Sequence, residues 1–155
     1  MLKLSAFELL VRTIPEVLVL VFASYAFSKT KVEWNKYFLS SFILGVCVFA
    51  IRLLPINYGV HTILNIIVLT VIVIYINKID TIKAIKSSVI TPILLFILEG
   101  VNVMFLKIIV ADKLDAIVTD PTLKTLYTLP SLLGLILIVC LYYYKMKKEN
   151  KLNYV

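Results

Sequence analysis

The sequence predicts an all-α, polytopic membrane protein with five transmembrane helices, its N-terminus outside and its C-terminus inside. Three observations carry that expectation. The 155 residues are 61% hydrophobic and 16% charged, with a mean hydropathy of +1.01, whereas soluble domains lie nearer half apolar and a quarter charged. Apolar runs succeed one another with short polar breaks, and at about 20 residues per crossing the length allows about five spans and no folded aqueous domain. Positive charge is shared unequally between the two sets of loops. The abundance of Ile, Leu, Val and Phe excludes a disordered chain; no internal repeat is visible, and residues 1–155 read as a single membrane domain.

The first helix, residues 4–28, carries Glu8, Arg12, Pro15 and Glu16 in its first half. Those charges argue against a removable signal peptide despite the small residues Ser24 and Ala26. A polar stretch, residues 29–36, ends it and sets Trp34 and Tyr37 at a membrane interface. The second helix, 37–56, is interrupted by Arg52. Pro55 and Gly59 break the chain before a third helix, 60–77, whose β-branched core resembles a strand but lacks alternation. A basic loop, 78–86, leads to a fourth helix, 87–110, with Pro92 and Glu99 inside it. In the connection that follows, Leu114, Ile117 and Val118 can lie on the membrane surface. Asp120 and Pro121 read as an N-cap and first helical position, opening a fifth helix, 126–144, and a basic cytoplasmic tail, 145–155.

Orientation follows from the lysines. Residues 29–36, 78–86 and the tail hold ten, against four on the opposite side: Lys3, Lys107, Lys113 and Lys124. The positive-inside rule places the richer side in the cytoplasm. The formal charge of +7 is thereby explained by topology and anionic headgroups, and no nucleic-acid partner is needed.

Ionisable groups inside a membrane are costly and are read first as functional. Glu8, Arg12 and Glu16, spaced by four, stack on one helix face. Arg52 lies near the outer end of the second helix, His61 and Asn65 share a face of the third, and Glu99 and Asn102 lie in the outer half of the fourth. All eight fall in the outer half or at the midplane, so helices one to four are expected to converge on a polar chamber open to the outside, walled by Tyr127, Pro130 and Ser131. Those eight, Glu8, Arg12, Glu16, Arg52, His61, Asn65, Glu99 and Asn102, are the candidate ligand-binding or proton-sensing set. Pro15 removes a backbone donor between Arg12 and Glu16 and is the candidate hinge. Three carboxylates against two arginines leave one negative charge unmatched, and Glu99 is the carboxyl expected to titrate abnormally unless an arginine reaches it. The alternative is structural: the arginines neutralise the glutamates and tie helices together.

The sequence contains no Gly-rich phosphate loop, H-E-x-x-H, G-x-S-x-G or Cys-x-x-Cys. A single histidine excludes a multi-histidine metal site, and Asp112, Asp115 and Asp120 lack calcium-loop spacing. Cys47 and His61 differ in expected depth by ~10 Å, which disfavours a membrane peptidase. Cys47 and Cys140 sit in apolar runs and behave as small hydrophobes. No catalytic residue, metal or cofactor is expected.

Leu54-Pro55-x-x-Tyr58-Gly59-x-His61-Thr62, Glu99-Gly100 and Tyr127-x-x-Pro130 resemble the N-terminal membrane regions of Firmicutes sensor histidine kinases with GHKL-type ATPase domains. The resemblance covers most of the chain on short motifs. It implies an input module that passes a conformational change to a cytoplasmic kinase. The sequence ends eleven residues after the fifth predicted helix, without a phosphoacceptor histidine or an ATP-binding domain, so the resemblance implies a detached sensor-like module in a bacterial plasma membrane.

The leading expectation is a non-catalytic sensory or regulatory module. Occupation of the outer chamber by a small-molecule or peptide ligand, or by a proton, biases the Pro15 hinge and shifts the cytoplasmic ends near Trp34, Lys78 and Tyr144. Besides the lipid bilayer, the expected partners are a cytoplasmic or membrane protein and a second copy of the chain. The rivals are a substrate-binding or small carrier subunit of a transport system, and a structural or assembly subunit of a membrane complex.

Overall fold

The structure, a computed structural model, describes residues 9–54, 58–109 and 121–153. They form five α-helices: α1 (Ile14–Phe27), α2 (Trp34–Leu53), α3 (Tyr58–Tyr75), α4 (Thr81–Ile109) and α5 (Pro121–Lys148). A π-helical turn, Leu9–Thr13, leads into α1. The described fold is all-helical. By length and composition α2, α4 and Leu126–Lys148 of α5 can cross a membrane, and Gly59–Tyr75 is a shorter apolar helix. Glu8, the turn at Pro55 and the connection ending at Asp120 lie outside the described residues.

The π-helical turn has an evident cause. The Pro15 ring has no N–H and crowds the carbonyl four residues back, which favours a wider turn there; beyond it Pro15 sits comfortably in the first turn of α1. The basic stretch expected as a loop is mostly helix. α4 begins at Thr81 because Ala84, Ser87, Ser88 and Thr91 form a buried stripe while Lys83 and Lys86 stay exposed on the other side. At 29 residues, α4 is ~44 Å long, more than the ~30 Å of hydrocarbon. α2 likewise starts three residues earlier than expected, at Trp34.

The helices are apolar on the outside. Phe42 is 72% exposed and Phe96 77%, while the buried polar residues are mainly small hydroxyls: Ser24, Ser40, Ser41, Ser87, Ser88, Thr91 and Ser131. That inversion matches the packing expected of membrane helices, which associate through small and weakly polar residues. Several hydroxyls close on their own helix: Ser24 Oγ donates to the Leu20 carbonyl (3.0 Å), Ser40 Oγ to Tyr37 (3.0 Å) and Thr91 Oγ1 to Ser87 (2.8 Å). These three are thereby satisfied without a partner from another helix.

α1 lies at the centre. Val17, Leu20, Val21 and Tyr25 pack with Leu44, Leu69 and Val73 of α2 and α3, while Val19, Ala23 and Ala26 pack with Leu132, Leu135 and Val139 of α5. Helices α2, α3, α4 and α5 form an arc, each packed on the next, and α1 fills its concave side. The ends of the arc, α2 and α5, flank a seam.

The lysine-rich loops gather at one end, where α1, α3 and α5 finish. Each finishes on a left-handed residue: Lys29 (φ 56°), Lys78 (φ 57°) and Asn150 (φ 52°). Their backbone bonds resemble the usual C-terminal caps, among them Thr30 N to Tyr25 O (3.0 Å), Ile79 N to Val73 O (3.2 Å) and Lys151 N to Met146 O (3.1 Å). Lysines here also meet the negative ends of three helix dipoles. The tail folds back onto the first loop: Asn153 N donates to Lys29 O (2.8 Å) and Lys31 N to Asn153 O (2.9 Å).

Candidate functional site

At the opposite end, four ionised side chains join in alternating sign. Arg12 is the hub. Its Nη2 donates to Glu99 Oε1 on α4, its Nη1 to Thr128 Oγ1 on α5 (3.0 Å), and its Nε lies 3.9 Å from Glu16 Oε2 one turn along. The same Glu16 oxygen is 3.7 Å from Arg52 Nη2 on α2, and Arg52 Nη1 donates to Thr13 Oγ1 (2.9 Å). The order is Arg52, Glu16, Arg12, Glu99, so that α1 is tied to α2, α4 and α5 at one level. The pairing is tight at Glu99 and longer at Glu16, whose two separations exceed a direct hydrogen bond.

All four side chains are partly buried, from 20% exposed at Arg12 and Glu16 to 30% at Glu99. The described charges balance, two arginines against two glutamates. The unmatched negative charge expected from sequence rested on Glu8, which lies outside the described residues. Glu99, expected to titrate abnormally unless an arginine reached it, has Arg12. Nearer the C-terminal end of α4, Asn102 Nδ2 donates to the Tyr127 carbonyl (2.6 Å).

α3 does not join the chain. His61 and Asn65 share a face, as their spacing requires, but among the described residues neither makes a hydrogen bond or ion pair to the four charges, and His61 Nδ1 and Asn65 Oδ1 are buried without a hydrogen-bond partner. α5 contributes through Thr128 and the Tyr127 carbonyl. Ser131 Oγ instead closes on the Thr128 carbonyl (2.6 Å). Pro15 lies in the first turn of α1, directly after the π-helical turn that carries Arg12 and Thr13.

Sequence reasoning missed the two threonines, whose signal was weak: Thr13 and Thr128 each neighbour a residue already singled out. Of a neutral polar set in the lysine-end half it noted only the Ser41 hydroxyl. The Tyr25 hydroxyl, Ser41 Oγ, Ser88 Oγ and both amide atoms of Asn77 are buried without a hydrogen-bond partner among the described residues. Asn77 is fully buried, and a polar group so placed calls for a water or ligand. Among the described residues no group of three His, Cys, Asp or Glu side chains is placed to hold a metal; Cys47 and Cys140 are free thiols. Neither a family model, a curated protein nor a solved structure matches the chain.

Proposed function

We propose that the chain is a five-span protein of a bacterial plasma membrane, with the charge chain near the outer face and the lysine end in the cytoplasm, acting as a non-catalytic sensory or regulatory module. One observation carries the reading: the charge chain runs through the π-helical turn that begins the most buried helix. Protonation of Glu16 or Glu99, or a charged ligand group that competes for one of the four side chains, would remove one alternation of sign. α1 would then be released from α2 or α4 at Pro15. Because α1 contacts both halves of the bundle, its displacement reaches residues 28–33 and the tail docked on them, where a cytoplasmic partner would read it.

The test uses the full chain in lipid nanodiscs, with Cys47 and Cys140 replaced by alanine and spin labels at Asn35 and Lys148. Glu99→Gln, or acid titration of the parent, is expected to shift the distance distribution at the lysine end. An unchanged distribution alongside altered yield or melting would make the charges structural and end the sensory reading.

The second reading, a transport component, is favoured by Asn77, Tyr25, Ser41 and Ser88, each with a buried polar atom that has no hydrogen-bond partner among the described residues. Asn77 places an amide in a half of the bundle where the other buried polar side chains among the described residues are hydroxyls. A cysteine at Ser88 that reacts with a membrane-impermeant thiol reagent from the lysine side would support a solvated path; protection from the reagent would remove it.

A further inference from the structure

The seam between α2 and α5 leaves Phe22 of α1 at its floor. At the lysine end this seam opens into a cleft of about 330 Å³ whose walls include Phe22, Lys31, Trp34, Tyr143, Lys147 and Leu152. Four segments build it. Phe22 packs against Tyr143 with ring centres 5.3 Å apart, the Tyr143 hydroxyl accepts a hydrogen bond from Val32 N (3.3 Å), and the tail bonds at Asn153 hold Leu152 in place.

The electrostatics are one-sided. Besides Lys31 and Lys147 in the wall, Lys29 and Lys145 lie near enough to act on the carboxylate of Glu149, which Lys151 already holds (2.6 Å). Among the described residues the other acid near the cleft is Glu33, which Lys36 holds at 2.8 Å. From the cleft an apolar track leaves along the outer face of α2. Trp34 is 63% exposed, Phe38 and Phe42 follow at helical spacing, and the Trp34 and Phe38 rings are stacked at 6.1 Å. Cationic groups above, an aromatic rim and an apolar track below match the cross-section of an anionic lipid at a membrane interface. A free anion would find no use for the track.

We propose that this cleft binds the phosphate-bearing headgroup of an anionic phospholipid, with an acyl chain laid along Trp34, Phe38 and Phe42. The proposal rests on the membrane reading but not on the charge chain at the other end.

Trp34 is the chain's single tryptophan and therefore reports on the site directly. The full chain is reconstituted in phosphatidylcholine bilayers, where resistance to alkaline extraction tests the membrane reading by itself. Quenching of Trp34 by brominated phosphatidylglycerol is then compared with quenching by brominated phosphatidylcholine. The expected result is a preference for phosphatidylglycerol of about fivefold for each lysine engaged. Lys31→Gln with Lys147→Gln abolishes it, while Lys83→Gln with Lys86→Gln leaves it intact. If the double variant does not insert, Lys147→Gln alone, at the exposed end of α5, should remove a large part of the preference. Equal quenching by the two lipids, a preference that survives loss of the lysines, or its abolition by millimolar inorganic phosphate would each overturn the proposal, the last by making the ligand a free phosphate.

Discussion

At one end of the bundle four charged side chains are joined across three helices; at the other, among the described residues, the charges stay at the rim and the buried polar groups are neutral hydroxyls and one amide. The contrast shows two ways of keeping polar atoms in an apolar surrounding. Charges are tolerated when each meets its opposite, because an unpaired ion is far more costly than a paired one. Hydroxyls need only a carbonyl of their own helix. Asn77 has neither arrangement among the described residues, and Arg12 carries more of the first than any other residue.

The comparison breaks most severely at Arg12. Arg12→Leu leaves Glu16 and Glu99 without their shared cation, and the expected loss is about 3–5 kcal/mol, read as a fall in melting temperature and in monodisperse protein. A smaller effect follows at Arg52, which touches Glu16 at 3.7 Å and Thr13 and leaves Glu99 paired. Arg52→Gln should cost about 1–3 kcal/mol, and equal losses at the two arginines would show that Arg12 is not the hub. At the other end Asn77→Leu removes an unpartnered amide. It should stabilise the bundle by about 1 kcal/mol, measured by the same melting; destabilisation would mean that the amide is hydrated and would strengthen the transport reading.

The smallest effect concerns the tail. Lys151 hydrogen-bonds the exposed Glu149 carboxylate and holds it below the ordinary carboxylate value. A lowered value in the folded state means that the pair stabilises the docked tail above the ordinary value, and that this contribution is lost as the pH falls through the lowered one. The protection of the Lys31 and Asn153 amides, taken relative to their intrinsic exchange rates at each pH, should therefore fall slightly in acid, and Lys151→Gln should remove that fall.

The positions of five helices were legible because uninterrupted apolar length is a strong signal. The start of α4 was not: Lys83 and Lys86 resemble a loop, and only the buried stripe from Ala84 to Thr91 shows the helix beneath them. The place of α1 was misleading for the same reason. Its charges make it look the poorest membrane helix, yet Val21, Ala23 and Ala26 are fully buried, since hydropathy averages a helix and does not record which neighbours cover it. Within the site, the spacing of Arg12 and Glu16 and the rarity of Arg52 and Glu99 in apolar runs marked the four charges. Thr13 and Thr128 are ordinary membrane residues and became visible only through their hydrogen bonds. The tail's docking depends on backbone atoms of Lys29, Lys31 and Asn153, which leave no trace in side-chain pattern.

The central claim is that the ion pairs couple α1 to its neighbours as one unit. A double-mutant cycle on Arg12→Gln and Glu99→Gln, read as unfolding free energy of the reconstituted chain, tests it most directly. Coupling of about 1–3 kcal/mol is predicted; losses that add to within about 0.5 kcal/mol would show two independent polar residues and contradict the account.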